Sequence, residues 1–209
     1  MMFSMSITGT PSRQQERVEA TRQNILDAAV RLYAEQGVDA TTISSIIEHS
    51  GIGRTTFYRY FDDQDAVLNA ALLRDFEDLI TEFEGNRYEH PDIEAQIVDD
   101  MIWFHRQLLT RPALRLIYSQ ADSKRFYSRI RTMLERAREA GTTCASPTFE
   151  RAAKEGRLRD GVTLENYVAW ATFIITSLQT VPRAQAEDDF QLRDMLRLFL
   201  VPSLIRDQP

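Results

Sequence analysis

Two guanidinium groups and four hydroxyl groups crowd into seven consecutive positions in the first third of the chain. They belong to Arg54, Thr55, Thr56, Tyr58, Arg59 and Tyr60. One guanidinium group can donate two hydrogen bonds to a phosphate or to the edge of a guanine, and a hydroxyl group can bond a phosphate. The chemistry that this set favours is therefore the recognition of DNA.

These side chains need an element that presents them on one surface. On a helix that begins near Arg54, Phe57 and Phe61 lie four residues apart and face inward, while both arginines lie on the opposite side. Each residue alone has a simpler interpretation, with the tyrosines as half-buried aromatics and the arginines as a solvated face. Their concentration on one side of a helix favours the DNA-binding interpretation.

A second short helix is predicted just before this one. Thr41 or Thr42 can cap it through a hydroxyl group, and isoleucines at 43, 46 and 47 share one helical face. Gly51 stands where the chain must turn, because glycine takes the left-handed conformation without steric cost. Gly53 is a weaker N-cap for the helix that follows. Two short helices around a glycine turn are typical of a helix-turn-helix.

The rest of the chain is predicted to be helical, so the fold class is all-α. A helix from about residue 14 to Gln36, ended by Gly37, completes a three-helix unit with the helix-turn-helix. We expect a flexible N-terminal arm over 1–16, a helix-turn-helix DNA-binding domain over 17–62, and a helical ligand-binding and dimerisation domain over 63–209.

Four segments of the chain, at 21–29, 32–37, 40–43 and 51–61, resemble the N-terminal domain of the TetR-type transcriptional regulators. The resemblance implies a bacterial homodimer that binds a palindromic operator in double-stranded DNA. It further implies a repressor that a small-molecule inducer releases. By this match the base readers are Arg54, Thr55 and Arg59, the phosphate contacts are Thr56, Tyr58 and Tyr60, and Thr42 completes the predicted DNA-binding set.

This chain departs from the family pattern after the recognition helix. The family often has Ser-Lys-Glu where residues 63–65 read Asp-Gln-Asp, and its lysine commonly contacts phosphate. Gln64 cannot supply that charge. The departure favours an alternative function, a helical ligand- or partner-binding dimer in which DNA binding is weak or lost.

The charge distribution of the chain and the motifs that it lacks limit the functions that it can have. The net charge is −6, yet residues 1–61 carry as many arginines as acids, so the acidic surplus lies in the remainder. Nucleophile elbows, phosphate loops, dinucleotide fingerprints and metal-ligand spacings are all missing. We therefore expect no enzyme, no cofactor and no bound metal. Cys144 is the single cysteine, and it is either a small hydrophobic side chain or a redox sensor.

Neither a membrane span nor a signal peptide is expected. No window of about 18 apolar residues exists, and Met1–Thr10 lack a basic start and a sustained apolar core. A lone cysteine also suits a reducing compartment. These observations predict a cytoplasmic protein with no membrane partner.

The middle of the chain divides at its prolines and glycines. Pro91 can open a helix at its first turn, and Pro112 ends that helix. A further helix is predicted over Ser123–Ala140, then a break over 141–147, and then a short helix over 148–155 closed by Gly156.

The last two predicted helices, 163–182 and 188–205, are apolar on nearly all sides. A helix of this kind needs a partner, and two from each subunit would make a dimer interface; a monomeric core is the alternative. The predicted interface residues are Trp170, Phe173, Ile174, Leu178, Met195, Leu198 and Phe199.

A ligand pocket is predicted from aromatic and sulfur-bearing side chains in the helical body. Such residues suit an apolar or aromatic inducer with few charges, although aromatics at helical spacing also build an ordinary core. The predicted pocket residues are Trp103, Phe104, His105, Tyr118, Phe126, Tyr127, Met133, Trp170 and Phe173.

Overall fold

The computed structural model describes residues 12–119, 126–180 and 189–206, and all of their side chains except those of 117–119, 126–133, 180 and 189. Across these ranges the chain is helical apart from its loops and one isolated antiparallel bridge between Leu158 and Ile205. The all-α prediction is confirmed. None of the described helices combines the length and apolar character needed to span a bilayer. The helices are α1 Arg13–Gln36, α2 Ile43–Ser50, α3 Arg54–Phe57, α4 Gln64–Asn86, α5 Ile93–Thr110, α6 Pro112–Ser119, α7 Phe126–Lys154, α8 Leu164–Thr180, α9 Asp189–Met195 and α10 Val201–Leu204, with a π-helical segment, Leu196–Leu200, between the last two.

The chain forms two compact units that divide between Ala71 and Leu72, inside α4. The first unit thus continues beyond the boundary predicted at residue 62. Its first helix begins at Arg13, close to the predicted residue 14, and so overlaps the arm predicted over 1–16. Ser12 and Gln15 form a reciprocal capping box, in which the Ser12 hydroxyl accepts from the Gln15 N–H at 3.3 Å and the Gln15 amide oxygen accepts from the Ser12 N–H at 2.8 Å. Residues 13–16 are therefore helical and do not belong to an arm.

Local signals explain the turn between α2 and α3. Of the two candidate caps, Thr42 caps α2, because its hydroxyl accepts from the Ser45 N–H at 3.1 Å. Gly51 adopts the left-handed conformation, with φ 66° and ψ 21°, as predicted. The Asn24 side chain of α1 then donates to the Ser50 carbonyl at 2.7 Å, so α1 holds the end of α2.

Buried side chains from four helices form the core of the first unit. Each large apolar side chain that is fully buried stabilises the fold by about 1.5–3 kcal/mol relative to its exposed state. The largest are Tyr33, Ile25 and Leu26 of α1, Ile46 of α2, Phe57 of α3 and Leu68 and Val67 of α4.

Helix α3 is shorter than predicted. Its α-helical part ends at Phe57, and residues 58–60 continue as turns. The N–H groups of Arg59 and Tyr60 bond carbonyls three residues back, to Thr56 at 3.2 Å and to Phe57 at 2.9 Å. This is the tighter 3₁₀ pattern, which is common where a short helix ends.

In the second unit, acidic side chains cap two helices. Asp92 accepts from the Glu94 N–H at 3.1 Å and is the N-cap of α5, so Pro91 precedes the cap and does not open the helix as predicted. The buried Asp75 of α4 caps α6, accepting from the N–H groups of Ala113 at 2.8 Å and Leu114 at 3.2 Å.

Helix α7 runs unbroken through the segment predicted to be a break. Gly141 lies against α8, where an added Cβ would come within 2.9 Å of the Val168 Cγ1 atom, so close packing requires a glycine here. Pro147 leaves the Thr143 carbonyl without its helical donor, but both residues are exposed and water can bond that carbonyl. The helix ends as predicted at Gly156, which has φ 66°.

The predicted helix over 188–205 is helical from residue 189 but changes type along its length. At residues 196–200 it widens into π-helix, in which the Val201 N–H bonds the Leu196 carbonyl. Pro202 follows one residue later, in the first turn of α10. A widened turn beside a proline is a common way to accommodate the missing N–H. The second unit's core includes Leu192, Leu196 and Leu200 from this run, packed with α5 and α8.

Candidate DNA-binding surface and ligand cavity

The exposed face of α3 and the following turn carries the predicted DNA-binding side chains. Arg54, Thr55, Tyr58 and Arg59 are exposed. The Tyr58 ring meets the buried Phe57 ring edge-on, with centroids 5.5 Å apart, and the Arg54 guanidinium lies 5.7 Å from the Tyr58 centroid. A buried aromatic thus supports an exposed one, which in turn orients an arginine through a cation–π contact.

The positive charges on this face have no acidic partner in the described part of the chain. Neither Arg54 nor Arg59 forms an ion pair there. Thr56 and Tyr60 are half-buried, whereas Thr42 is exposed, with its hydroxyl engaged in capping α2. Residues 54–60 therefore lie on one short segment of the chain, and Thr42 is the N-cap of α2, the preceding helix.

Gln64 does not point freely outward. Its side-chain amide donates to the Val38 carbonyl at 2.5 Å, so it ties the loop between α1 and α2 to the first residue of α4. Its side chain is half-buried. Nothing in the local sequence pattern signals this bond, because it joins residues far apart in the chain.

The second unit encloses a cavity of about 80 Å³. This volume is several times the roughly 10–15 Å³ that one water molecule needs. Helices α4, α5, α7 and α8 contribute its walls, and α7 supplies small side chains at helical spacing that leave the space open. The described lining residues are Phe76, Leu79, Phe83, Asp100, Met101, Phe104, Leu108, Ala137, Ala140, Gly141, Cys144, Ala145, Tyr167, Val168, Ala171, Thr172, Ile175 and Thr176.

Asp100 is the acidic group on this apolar wall. One carboxylate oxygen accepts from the Gln96 amide at 2.8 Å, and the other accepts from the Thr148 hydroxyl at 3.1 Å. The same hydroxyl accepts from Arg87 Nη2 at 2.5 Å. Burial raises the pKa of Asp100 to about 6, and the two hydrogen bonds oppose that rise only in part.

Cys144 is buried on the cavity wall. Burial, followed by the charges of Glu84 and Asp100, raises the pKa of its thiol to about 12. Redox-sensing cysteines need an accessible thiolate. Of the two interpretations, the structure favours the small hydrophobic side chain.

The predicted pocket residues lie in different places. Phe104 lines the cavity. Trp103 packs behind it, with its ring 5.1 Å from those of both Phe83 and Phe104. The His105 Nδ1 atom accepts from the Gln179 side-chain N–H at 3.0 Å, and His105 does not line the cavity. The side chains of four further predicted residues fall outside the described ones: Tyr118, Phe126, Tyr127 and Met133.

Trp170 and Phe173 also lie away from the cavity lining. They are exposed and stack on each other with ring centroids 5.3 Å apart. Aromatic spacing was a misleading guide, because a cavity forms where side chains are small. The stripe of small residues on α7, at 137, 140, 141, 144 and 145, is the sequence signal that points to it.

The predicted interface residues separate into exposed and buried groups. Phe173, Leu198 and Phe199 are exposed by 59%, 67% and 72%, and Trp170, Met195 and the unpredicted Phe190 are also exposed. Ile174 is half-buried and packs against the core of the second unit. Leu178 is buried in that core and is unavailable to a partner, which corrects the prediction for it. The α8 helix turns this residue inward, one turn beyond Ile174.

Within residues 12–119, 126–180 and 189–206, no group of three or more His, Cys, Asp or Glu side chains is placed to hold a metal ion.

The fold and the exposed arginine face define a helix-turn-helix protein with a separate helical body. Residues 25–71 match the family model of bacterial regulatory proteins of the tetR family. The HTH-type transcriptional repressor KstR of Rhodococcus jostii is 28% identical over 155 residues, which are 72% of this chain and 73% of KstR. These matches show that the N-terminal domain is similar to that of TetR-type regulators, and that the chain is similar to one such repressor over most of its length.

Solved structures share the whole fold. Bacillus subtilis FadR in complex with stearoyl-CoA superposes with a TM-score of 0.64 and 18% identity, over 87% of this chain and 98% of FadR. The SmeT–triclosan complex superposes with a TM-score of 0.59 and 22% identity, over 90% of this chain and 93% of SmeT. At these identities the likeness concerns the fold.

Proposed function

We propose that this regulator binds a palindromic operator as a homodimer and represses transcription until a small apolar molecule enters its cavity. The observation that carries the DNA-binding part is the exposed, unpaired arginine face of residues 54–60. A guanidinium without an acidic partner keeps its hydrogen-bond donors available for base edges and phosphates. Access to the chromosome makes the cytoplasm the place of action.

The proposed roles follow from exposure and chemistry. Arg54, Thr55 and Arg59 read base edges, because they stand on the open face of the recognition helix and its turn. The phosphate contacts are the hydroxyl groups of Thr56, Tyr58 and Tyr60, with Thr42 at the start of α2. Phosphate contacts fix the register of a protein on DNA, while base contacts select the sequence.

The proposed dimer forms through α8 and the run from α9 to α10. The inward faces of these segments share one hydrophobic cluster, which leaves their outward apolar side chains exposed. An apolar patch of this kind on a small helical body suits burial against a second copy. The proposed interface residues are Trp170, Phe173, Ile174, Met195, Leu198 and Phe199.

The proposed inducer is apolar, since the cavity walls are mostly aliphatic and aromatic. Two proteins of similar fold are named with compounds that have an apolar part: FadR with stearoyl-CoA, whose acyl chain is apolar, and SmeT with triclosan. We propose neither compound as the ligand of this chain.

One observation favours the alternative function, in which DNA binding is weak. Gln64 is tied to Val38, and the neighbouring Asp62, Asp63 and Asp65 are exposed acids that repel phosphate. In this alternative the protein still forms a dimer and binds a ligand in its cavity, but it binds operator DNA weakly or not at all.

A footprinting experiment on the promoter region beside the gene separates the two functions. We expect two-fold symmetric protection with half-site centres about 10 bp apart, or a multiple of that spacing. A dimer that protects neither this region nor any fragment selected from genomic DNA would support the alternative.

A further inference from the structure

The cavity of the second unit has an asymmetric charge. Among its described lining residues, Asp100 is the one with a formal charge, and the remaining walls are aliphatic, aromatic or neutral polar. An ionised carboxylate on an apolar wall is costly unless a positive group compensates it.

The hydrogen bonds of Asp100 bring no positive charge into direct contact with it, and the charge of Arg87, which acts from beyond Thr148, lowers the pKa of Asp100 without cancelling the effect of burial. Both donors, the Gln96 amide and the Thr148 hydroxyl, are neutral. Arg87 bonds to Thr148 and forms no ion pair with Asp100 within the described part of the chain. Each carboxylate oxygen accepts one of these hydrogen bonds and has capacity for another.

Acidic charges also affect two other titratable groups on the cavity wall. The pKa values of Cys144 and Tyr167 are both raised, by burial first and then by acidic charges that outweigh the opposing effect of Arg87. The rings of Phe76, Phe83 and Phe104 also line the cavity, and aromatic faces attract cations, as the Arg87 guanidinium 5.9 Å from the Phe83 centroid illustrates.

We propose that the cavity binds a compact apolar amine whose ammonium group pairs with the Asp100 carboxylate. The proposal rests on the proposed function in one respect, namely that this cavity is the ligand site of the regulator. The hydrocarbon part of the amine fills the space between the aromatic rings and the small residues of α7, and the ammonium supplies the missing counter-charge.

The rival guest is an acid drawn by Arg87, whose buried Nε atom has no hydrogen-bond partner in the described residues. Arg87 does not line the cavity, however, whereas Asp100 does. The geometry therefore places the negative group, and not the positive one, against the guest.

Calorimetric titration of the full chain with three probes of similar size tests the proposal. The probes are phenethylamine, phenethyl alcohol and phenylacetate, used at pH about 8, where Asp100 is ionised. We expect the amine to bind at least about tenfold more tightly than the alcohol, and the acid to bind least, because a charge-assisted bond exists only for the amine.

Two variants locate the effect. Asp100→Asn keeps the size of the side chain and should bring amine and alcohol to within about twofold of each other. Asp99→Asn removes the adjacent acid, which pairs with Arg193 at 2.6 Å outside the cavity lining, and should preserve the preference. Retained alcohol binding by Asp100→Asn, together with an unchanged helical circular dichroism spectrum, checks that this variant is folded.

Equal binding of the three probes, no binding of any of them, or a preference for the acid would overturn the proposal. So would an amine preference that persists in Asp100→Asn. The outcome is independent of DNA, since no operator is present. If the amine binds through Asp100 but leaves a bound operator in place, the ligand class stands and the inducer part of the proposed function fails. If the protein binds the operator but not the amine, the proposed ligand class fails and the DNA-binding part of the proposed function stands.

Discussion

Two arginines on the recognition surface differ in how they are supported. Arg54 lies over the Tyr58 ring, while Arg59 stands on the turn after α3. Arg54→Ala and Arg59→Ala should each cost about 1–3 kcal/mol on the true operator and relax the preference at particular base pairs. Tyr58→Phe keeps the ring beneath Arg54 and removes only the hydroxyl, so it should weaken binding to all sequences alike.

Fluorescence anisotropy on operator and random duplexes distinguishes these roles. An arginine variant that loses the same affinity on both duplexes would be a phosphate contact, and its assignment as a base reader would be wrong.

The protonation of Asp100 links stability to pH. Burial raises its pKa from an ordinary 3.8 to about 6, so the folded chain holds this proton more tightly than the unfolded chain. Between these two values the stability contributed by Asp100 falls as pH rises, by up to about 1.4 kcal/mol per pH unit. Lowering the pH from about 7 to about 5 should therefore stabilise the unliganded protein.

The Asp100→Asn variant isolates this contribution, because other carboxylates such as the buried Asp75 titrate in both proteins. Urea denaturation across the pH range should give a flatter profile for the variant. Parallel profiles for the two proteins would mean that Asp100 has an ordinary pKa.

At the scale of elements, the loop between α1 and α2 depends on a distant side chain. The Gln64 amide at the start of α4 bonds the Val38 carbonyl, and Gln64→Ala should leave that carbonyl unpaired at a cost of about 1 kcal/mol. Hydrogen–deuterium exchange should rise over residues 37–42. Asn69→Ala changes an exposed amide on the same helix and is the control. Equal exchange in both variants would rule out this role for Gln64.

Helix α7 packs against α8 at a glycine, and a matched pair of glycines tests how close that packing is. Gly141→Ala should destabilise the protein by about 1–3 kcal/mol, because its Cβ would meet Val168 at 2.9 Å. Gly85→Ala, in α4 with open space around it, should instead stabilise it by about 0.5 kcal/mol through helix propensity.

Denaturant titration of both variants and of Gly141→Ala/Val168→Ala gives the measurement. The double variant should lose less stability than the single changes together, since removing the valine methyl groups makes room for the alanine. If Gly141→Ala instead stabilised the protein, α8 would be able to move away from the added Cβ atom, and the prediction of close packing would be wrong.

The same helix marks the limit of prediction from sequence. The turn at Gly51 and a threonine cap at 41 or 42 could be predicted because residues within one turn determine them. Gly141 and Pro147 carry equally clear local signals for a break, yet packing against α8 overrides the first and solvent exposure tolerates the second. The full lining of the cavity and the Gln64 bond could not be predicted for a related reason: each depends on which residues distant in the chain come together, although the small residues of α7 point to one wall of the cavity.

At the scale of the whole molecule, the exposed apolar side chains of the second unit predict the assembly. Phe173→Asp and Leu198→Asp should each split the dimer, because a carboxylate buried in an apolar interface is costly. Operator binding should be lost with the dimer. Tyr88→Asp is the control, since Tyr88 is exposed by 72% but lies between α4 and α5.

Light scattering at micromolar concentration measures the assembly of the wild type and the three variants. A monomeric wild type would refute the dimer. A dimer that survives the changes at 173 and 198 but dissociates with the change at 88 would place the interface elsewhere.

The two tryptophans of the chain stand in opposite surroundings. Trp103 packs against two rings of the cavity wall, and Trp170 stacks on Phe173 in solvent. We expect the emission of Trp103 to respond to a guest in the cavity, and that of Trp170 to shift to the blue when the outer face of α8 is covered. Ligand binding and subunit association could then be followed separately without any attached label.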